Sequence, residues 1–535
     1  MNNLYYGDNL DILHRYIKGE TVDLVYLDPP FNSNQSYNVL FAEKDGARAA
    51  AQIQAFNDTW RWDQAAAALY EETVEAGGKV SDCMRAFHTF LGASDMLAYL
   101  TMMAPRLVEL RRVLKPTGSL YLHCDPTASH YLKMLLDAVF GPGNFRNEVT
   151  WERFTFHADA QRWGRLHDIL LYYARDDREA AFNTQRRPYG ANYIKSHFRA
   201  DDDGRLYSLD NPVGQGQGPA RMFAGVMLEP PSGTHWRYSQ ERIDQMIAGE
   251  RIIMTKSGRP RMKRYLEEMP GQAIGDVWSD IPPINSQAAE RLGYPTQKPV
   301  ALLERIVRAS SNEGDLVLDP FCGCGTTIAA AQSLGRRWIG IDITHLAIGL
   351  IRSRLRDTFG DAQFTVIGEP TSLPDAAALA NSEPYQFQWW ALGLVGARPV
   401  EQKKGADRGI DGRLFFHDEE RSKSKQIIIS VKAGGTGAAH VRDLRGVIDR
   451  EKAEIGVLIS MQPPTEPMRR EAADAGFYAA PFTNEKYPRL QLLTIADLLS
   501  GKGIDYPRHA ANVTHRRAPR AQEQATTAAL PLEGV

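Results

Sequence analysis

Short apolar runs and longer segments of helical periodicity alternate through residues 1–150. The run at Val22–Leu27 ends in Asp-Pro-Pro, which is typical of a buried parallel strand. Residues 96–114 carry apolar side chains at helical spacing, and the segment 115–118 contains the Pro and Gly that end the helix before a strand at 119–123. This alternation predicts an open α/β sheet of mostly parallel strands.

The rhythm is lost over residues 151–275. Gly and Pro cluster at 211–218 and at 229–233, with aromatic and basic residues between the clusters. Strand and helix order returns over 276–368. We therefore expect a loop-rich insert within one α/β domain, whose two halves are residues 1–150 and 276–368.

A second, smaller α/β unit is predicted over residues 383–506, with strands at 426–431 and 455–460. Residues 507–535 are rich in Ala, Arg, Gln and Thr and lack an apolar pattern. They are predicted to form a disordered tail.

The composition is that of an ordinary soluble protein, with 43% hydrophobic and 24% charged residues in a 535-residue chain. The chain has no run of about eighteen apolar residues, so no membrane helix is predicted. The first residues lack the features of a secretion signal. Four cysteines indicate a reducing compartment, so we expect a cytoplasmic protein. Cys322 and Cys324 lack a second ligand pair, so zinc is not expected.

The formal net charge of −2 neither supports nor excludes a nucleic-acid partner, because a local basic surface is sufficient for binding. One basic stretch lies between residues 251 and 264, with Glu250, Glu267 and Glu268 flanking it. It is either a solvated surface with compensating charges nearby or a contact to DNA. Its basic residues are Arg251, Lys256, Arg259, Arg261, Lys263 and Arg264.

A glycine-rich turn is predicted between a buried strand at 316–318 and a helix that begins at Thr326. Asp319 lies at the carboxyl end of the strand, and Gly323 and Gly325 form the turn. Strand, glycine turn and helix N-terminus make a ligand cradle at the top of an open sheet. The alternative is a tight connection with no ligand.

A second strand, at 337–341, ends in Asp342, nineteen residues after Gly323. At this distance nucleotide-binding folds place an acid that takes ribose hydroxyls. Only two glycines are present and Asp319 precedes them, which differs from a dinucleotide fingerprint. An acid at this place suits the ammonium of a methionine moiety better than a pyrophosphate, which it would repel.

The phrase Asp28-Pro29-Pro30-Phe31 follows the strand at Val22–Leu27. The carboxylate of Asp28 and the carbonyl of Pro29 can accept hydrogen bonds from an exocyclic base amine, and the two prolines fix the backbone that holds them. Phe31 offers a face on which an extruded base can stack. The alternative is a rigid turn after a strand.

Together these residues resemble the amino-methyltransferases of DNA, with the catalytic motif before the cofactor motif as in the β class. The resemblance covers roughly residues 1–368. It rests on 28–31, on the cofactor phrase 319–326, on 294–299 (Tyr-Pro-Thr-Gln-Lys-Pro) and on 6–9 (Tyr-Gly-Asp-Asn).

The resemblance implies a Rossmann-like fold that binds S-adenosylmethionine and transfers its methyl group to adenine N6 in double-stranded DNA. Asp28, Pro29, Pro30 and Phe31 would act on the base. The residues implied at the cofactor are Asp8, Lys298, Asp319, Phe321, Gly323, Gly325, Thr326 and Asp342.

In such enzymes the insert is the usual target recognition region, which favours DNA contact by Arg259, Arg261, Lys263 and Arg264. Asp rather than Ser before Pro-Pro favours adenine N6 over cytosine N4, which stays the alternative. Phe31 replaces the commoner Tyr, which preserves stacking and removes a hydroxyl.

Residues 404–412 and 426–434 resemble the Mrr-type restriction-endonuclease-like fold. The resemblance implies that Asp411 holds a divalent cation such as Mg²⁺ and that Lys432 orients water. Ser430 stands where Glu or Gln is usual, and Glu383 or Asp407 are candidates for a replacement carboxylate. An active nuclease, an inactive DNA-binding fold and a chance match in a generic α/β unit stay open.

These alternatives give three functional hypotheses. The first is a methyltransferase whose C-terminal unit only binds DNA, and the second is a single-chain restriction–modification enzyme. The third is a non-catalytic DNA-binding module, against which the intact catalytic and cofactor motifs argue. An RNA or small-molecule methyltransferase is disfavoured by the large insert. The expected partner is DNA, with no membrane, and a homodimer is one alternative for the assembly.

Overall fold

The computed structural model describes residues 2–30, 61–153, 163–164, 166–285, 288–294, 296–360, 362–400, 409–417, 424–481, 484–507 and 511–512. Two compact units are present. The larger comprises Met1–Asn183 with Asp276–Val535, and the smaller is Thr184–Gly275.

The first part of the larger unit alternates strands with helices, as the apolar pattern predicts. Ser94 caps the helix expected at 96–114, and the following strand begins at Leu114 because that residue pairs with Val22. The elements are β1 (Asn2–Tyr6), α1 (Asn9–Tyr16), β2 (Val22–Leu27), α2 (Gln64–Glu75), α3 (Gly78–Leu91), α4 (Asp95–Val113), β3 (Leu114–Cys124), α5 (Ser129–Phe140), β4 (Phe145–Glu152) and β5 (His167–Ala174).

The smaller unit consists mainly of short antiparallel strands around a small apolar cluster that includes Phe223 and Trp236. Its elements are β6 (Arg186–Arg187), α6 (Ala191–His197), β7 (Arg199–Ala200), β8 (Leu206–Asp210), β9 (Val213–Gln215), β10 (Arg221–Phe223), β11 (Val226–Leu228), β12 (Thr234–Trp236), α7 (Gln240–Ala248), β13 (Ile252–Met254), β14 (Pro260–Tyr265) and β15 (Gln272–Ala273).

The chain then returns to the main sheet. The helix predicted after the glycine turn ends at Ser333, and Gly335 follows with a φ of 71° in the left-handed region that suits glycine at a helix end. The elements are β16 (Val277–Trp278), α8 (Val300–Ser310), β17 (Leu316–Asp319), α9 (Thr326–Ser333), β18 (Arg337–Asp342), α10 (His345–Phe359) and β19 (Phe364–Ile367).

The last part of the chain forms a separate sheet with its own core. The strands expected at 426–431 and 455–460 are both present. The elements are α11 (Leu373–Ser382), α12 (Pro384–Leu394), β20 (Arg398–Pro399), β21 (Gly412–His417), β22 (Lys425–Lys432), α13 (Ala438–Glu451), β23 (Ile455–Ser460), α14 (Glu466–Ala473), β24 (Phe477–Ala479), β25 (Lys486–Pro488), β26 (Leu490–Thr494), α15 (Ile495–Leu499) and β27 (Ala511–Asn512).

The main sheet has the strand order β16-β4-β5-β3-β2-β17-β18-β1-β19. Every neighbouring pair is parallel except those of β5, which is antiparallel to β3 and to β4. From β17 the chain moves to β18 on one side, whereas from β2 it moves to β3 on the other. The crevice at the carboxyl ends of β2 and β17 is therefore the topological switch point, where open α/β sheets bind ligands.

Two expected boundaries differ from the structure. The insert was expected from residue 151, yet 167–174 form β5 within the main sheet, and the compact insert begins at Thr184. The Gly and Pro clusters lie past this strand, so they mark only the true insert. The C-terminal core also includes Ala376 and Ala380 of α11, before the expected start at 383.

In the expected tail 507–535, residues 511–512 pair with β21, and residues 513–535 lie outside the described residues. The C-terminal sheet has the order β20-β21-β22-β23-β26, in which β22, β23 and β26 are parallel.

Candidate active site

The catalytic phrase and the cofactor phrase meet at the switch point. Val317 and Leu318 of β17 pair with Leu24 and Val25 of β2, so the residues that follow the two strands share one edge of the sheet. Asp319 ends β17, and Asp28 follows β2 directly. The sequence placed these carboxyl groups in separate motifs, and the sheet brings the motifs together.

Asp28 is paired with a buried lysine. The ammonium of Lys298, which is 7% exposed, donates a hydrogen bond to Oδ2 of Asp28. The resemblance implies that Lys298 lies at the cofactor, whereas in the structure it contacts Asp28, the carboxylate predicted to act on the base. Its contact with the cofactor stays a prediction. Phe31 lies outside the described residues, so its stacking role also stays a prediction.

A series of buried side chains joined by hydrogen bonds begins at Tyr26, two residues before Asp28. His123 is fully buried, with Nδ1 2.9 Å from the hydroxyl of Tyr26 and Nε2 3.0 Å from Oδ2 of Asp168. The same Asp168 oxygen accepts a hydrogen bond from Arg153 at 3.0 Å. Because Tyr26 lies two residues before Asp28, the series runs from the catalytic segment into β3 and β5.

Protonation within this series follows from burial and charge. Burial lowers the pKa of His123, and the nearby ammonium of Lys298 lowers it further. Burial alone would raise the pKa of Asp168, but the hydrogen bond from His123 and the charge of Arg153 hold it below its ordinary value. A carboxylate can only accept, so a neutral His123 carries its proton on Nε2 and accepts from Tyr26 at Nδ1.

Three hydrogen bonds from other parts of the chain hold the backbone of the glycine turn. The amide of Asn9 donates to the carbonyl of Pro320 at 2.8 Å, and the N–H of Gly323 donates to Asp342 at 2.9 Å. The buried guanidinium of Arg354 donates to the carbonyl of Cys324 at 3.1 Å. These hydrogen bonds restrain the backbone of the turn at three positions.

Protein packing also requires both glycines. Gly323 has a φ of 48° and Gly325 a φ of 72°, in the region that favours glycine. A Cβ on Gly323 would lie 3.1 Å from the ring of Tyr294, and one on Gly325 would lie 2.7 Å from Ile351. Backbone conformation and packing are sufficient to explain why glycine stands at both positions. The evidence for a ligand therefore rests on the carboxyl groups around the turn.

Those carboxyl groups suit a cationic ligand that carries hydroxyls. Burial, with smaller contributions from the carboxylates of Asp28 and Asp342, raises the pKa of Asp319 to about 7 against hydrogen bonds from Thr327 and from the N–H of Phe321. Burial raises the pKa of Asp342 to about 6. A positive charge beside these groups would relieve their mutual repulsion. S-adenosylmethionine offers an ammonium, a sulfonium and ribose hydroxyls, and therefore fits this donor set.

Asp8 is placed at the neighbouring strand end. Its Oδ1 caps α1 by accepting from the N–H of Leu10 at 2.8 Å, and its Oδ2 accepts from Arg106 at 2.7 Å. Arg106 also donates to Asn9 at 2.6 Å. The place of Asp8 beside the adenine of the cofactor stays a prediction, and in the structure Asp8 caps the start of α1.

Two further predicted residues lie at the turn. Phe321 is partly buried and packs against the main core, and Thr326 is the first residue of α9. The hydroxyl of Thr326 accepts a hydrogen bond from Arg354 at 3.0 Å.

Sequence reasoning missed several residues that shape the site. Asn9 and Tyr294 lie inside quoted motifs and could have been found by asking what each motif residue contacts. The others lie in helices or strands, or directly after one, where the sequence carries no local signal for their partners. They are Tyr26, Arg106, His123, Arg153, Asp168 and Arg354.

The four residues predicted to contact DNA are separated in the smaller unit. Arg261 and Lys263 share one face of β14, while Arg264 lies on the other face because side chains alternate along a strand. Arg264 pairs with Asp210 at 3.3 Å. Arg259 lies in the turn before β14. In the described part of the chain no ion pair involves Arg259 or Arg261.

The structure brings the three predicted nuclease residues together. Oδ2 of Asp411 accepts hydrogen bonds from Ser430 at 3.0 Å, from the N–H of Val431 at 2.7 Å and from Lys432 at 3.5 Å. Three donors therefore share Oδ2 of Asp411, which makes this oxygen a weak ligand for a cation. Glu383 lies elsewhere, where its charge acts on Tyr6, and Asp407 lies outside the described residues.

Among the residues that the structure describes, no group of three or more His, Cys, Asp or Glu side chains could hold a metal ion. The prediction of Mg²⁺ at Asp411 is therefore not supported. In the described ranges, no helix has both the length and the apolar character that a membrane crossing requires.

The fold and the site define a Rossmann-like, S-adenosylmethionine-dependent methyltransferase with its catalytic motif ahead of its cofactor motif. Residues 22–352 match the family model described as DNA methylase. The match covers more than half of the chain, and the chain belongs to this family.

Among curated relatives, the Type II methyltransferase M.EcaI of Enterobacter cloacae is 28% identical over 380 residues, covering 70% of this chain and 74% of that protein. The DNA adenine methyltransferase YhdJ of Escherichia coli K12 is 23% identical over 352 residues, covering 65% of this chain and 81% of that protein. A solved DNA modification methylase from Thermus thermophilus, complexed with S-adenosyl-L-methionine, is 16% identical with a TM-score of 0.34, covering 70% of this chain and 100% of that chain.

Residues 385–500 match the model of the NACHT-associated inactive Restriction Endonuclease 1. This similarity supports a restriction-endonuclease-like relationship for the C-terminal domain. The resemblance to the Mrr type is not confirmed.

Proposed function

We propose that this DNA methyltransferase transfers the methyl group of S-adenosylmethionine to N6 of adenine in double-stranded DNA. The observation that carries the proposal is the position of Asp28. Its carboxyl group follows β2 at the switch point, next to the glycine turn that follows β17, and it is tied to Lys298. The acceptor for an amine and the cradle for a methyl donor thus share one edge of the sheet.

Asp28 and the carbonyl of Pro29 would accept hydrogen bonds from the two hydrogens of the target amine. Lys298 contacts Oδ2, so we assign Oδ1 to the base. The bound cofactor supplies a methyl group on a sulfonium, an electrophile that needs no metal. On transfer of this methyl group the amine would lose one proton, for which Asp28 would be the adjacent base.

Adenine is favoured over cytosine by the acid that precedes Pro-Pro. The similarity to the adenine methyltransferase YhdJ points the same way. Cytosine N4 is the alternative that the test must distinguish.

The test is incubation of unmethylated genomic DNA with the full chain and S-adenosylmethionine, followed by nucleoside digestion and mass spectrometry. We expect N6-methyldeoxyadenosine from the wild type and none from Asp28→Ala, which removes the acceptor. Asp11→Ala, which alters an exposed acid of α1, is the control and should retain activity. N4-methyldeoxycytidine would overturn the adenine assignment. No modified base at all would overturn the proposal.

We assign DNA contact in the smaller unit to Arg259, Arg261 and Lys263, none of which forms an ion pair with a described residue. Phosphate contacts favour side chains whose charge is not already neutralised. Arg264 is paired with Asp210 and should contribute less.

We propose that the C-terminal domain does not cleave DNA and serves a restriction–modification or defence system in another way. The saturated Asp411 oxygen and the similarity to an inactive endonuclease support this. Plasmid DNA incubated with Mg²⁺ should stay intact with the wild type and with Lys432→Ala alike. Cleavage by the wild type that is lost in Lys432→Ala would restore the active nuclease. A chromosomal substrate would place the protein at the nucleoid of a prokaryotic cytoplasm.

A further inference from the structure

A tryptophan of the C-terminal domain packs against the glycine turn of the methyltransferase. Trp389 of α12 is 4% exposed and forms one apolar cluster with Cys324, Leu346 and Leu350. Cys324 stands between the two glycines of the turn, and the two leucines lie on α10. Tyr294, whose ring covers Gly323, packs against the same cluster.

A hydrogen bond joins the same two elements beside this cluster. The N–H of His345, the first residue of α10, donates to the side chain of Gln386 in α12 at 3.2 Å. The preceding residue, Thr344, donates to Asp342, which holds the N–H of Gly323. A continuous set of contacts therefore connects α12 to both sides of the turn.

The next residue, Trp390, packs into the core of the C-terminal domain instead. Trp390 is 3% exposed and belongs to the core of the C-terminal domain, together with Phe387 and Leu414. Consecutive residues of a helix point about 100° apart, which lets α12 present one indole to each domain. Trp389 is thus an apolar side chain that the C-terminal core does not use.

We propose that the C-terminal domain completes the cofactor site and that Trp389 is a positioning residue that holds the glycine turn in its binding conformation. This inference rests on the cofactor role proposed for the turn. Removing the indole would leave a cavity beside Cys324 and free the turn to move, so that binding would first have to order it.

The coupling is reciprocal. If docking of α12 favours the binding conformation of the turn, a bound cofactor must favour docking of α12 by the same factor. The domain that resembles an inactive endonuclease would then serve the methyltransferase directly.

The first test is calorimetric titration of S-adenosylmethionine into the full chain. We expect Trp389→Ala to weaken binding about tenfold, Trp389→Phe to restore most of the loss, and Trp390→Phe to bind as the wild type does. Trp390→Phe is the control because it changes the neighbouring indole of the same helix and keeps the core of the C-terminal domain filled. Equal weakening by Trp389→Ala and Trp390→Phe, or no weakening by Trp389→Ala, would overturn the proposal.

The second test stays decisive if an alanine variant does not fold. Tryptophan emission is recorded with and without the cofactor in Trp389→Phe and in Trp390→Phe, each of which keeps one of the two indoles. We expect the cofactor-induced change to persist in Trp390→Phe and to shrink in Trp389→Phe, and the reverse result would reject the role of Trp389. A wild type that binds no cofactor would instead reject the proposed function.

Discussion

Lys298 donates a hydrogen bond to Asp28 across 270 positions of sequence, and the pair lies at the carboxyl end of β2. The contact links the segment before α8 to the catalytic motif. A buried lysine at this place fixes the orientation of the carboxylate that would receive the target amine.

We expect Lys298→Met to lower the rate of methyl transfer about 100-fold while cofactor affinity changes little, because a misplaced acceptor harms the reacting geometry. Single-turnover rates and calorimetric titration separate the two effects. Lys133→Met, which removes a lysine paired with Asp137 on α5, is the control and should keep the wild-type rate. A parallel loss of rate and cofactor affinity would instead assign Lys298 to the cofactor.

Cofactor binding should strengthen as the pH rises from 5 to about 8. Asp319 has a pKa raised to about 7 and Asp342 one raised to about 6, and a cationic ligand favours their ionised forms. Without the ligand, these raised values reduce the free energy of unfolding as the pH rises from about 4 to 7, since the folded state then holds more protons. The cofactor-induced rise in Tm should therefore grow with pH.

Asp319→Asn should flatten that pH dependence, because the group with the higher pKa no longer titrates. Asp315→Asn alters a partly exposed acid just before β17 and should keep the wild-type profile. A profile that is steep in Asp319→Asn would show that another group governs binding.

Asp168→Asn should lower the free energy of unfolding by about 2 kcal/mol at pH 7, because His123 and Arg153 lose their shared charged acceptor. The pKa of Asp168 is lower in the folded protein than its ordinary value near 4, so the ionised carboxylate stabilises the fold above that pH. This stabilisation is lost as the pH falls below about 4 toward the lowered pKa. The difference between variant and wild type should therefore shrink in acid.

Urea unfolding at pH 7 and at pH 3 measures this. The control, Asp177→Asn, breaks an ion pair with Arg146 in which Asp177 is 48% exposed, and should cost less than about 1 kcal/mol. A difference for Asp168→Asn that is the same at both pH values would contradict the assignment.

DNA affinity should depend more on Arg261 than on Arg264. Arg261→Ala should reduce the slope of log affinity against log salt by about 1, as expected for one lost phosphate contact. Arg264→Ala should reduce it less, because Asp210 already neutralises that side chain. Fluorescence anisotropy at several salt concentrations gives both slopes. Equal slopes for the two variants would contradict the prediction that Arg261 contributes more to DNA binding than Arg264.

Local patterns were sufficient to predict the elements that build the site. The apolar run of β2, the glycine turn after β17 and the helix α4 all follow from residues adjacent in sequence. The loss of strand and helix order from residue 151 predicts an insert that includes β5, and the pairing of β5 with β3 and β4 is known only from the fold.

Partners distant in sequence were beyond prediction for a physical reason. A buried ion pair or hydrogen bond depends on the sheet order, which local propensity does not encode. The pairing of Lys298 with Asp28, and the packing of Trp389 on Cys324, arise only after the strands have assembled. The split of the basic stretch over two faces of β14 required knowledge of the strand register.

The position of β1 affects how the protein acquires activity during its synthesis. Asn3 pairs with Ile339 on β18 and with Thr365 on β19, so β1 is enclosed by two strands that come much later in the chain. Such distant pairings close slowly and only after both partners leave the ribosome, whereas the insert pairs its strands within a short stretch of chain. The insert should therefore fold first, and the nascent enzyme should stay unable to modify DNA until translation has passed β19.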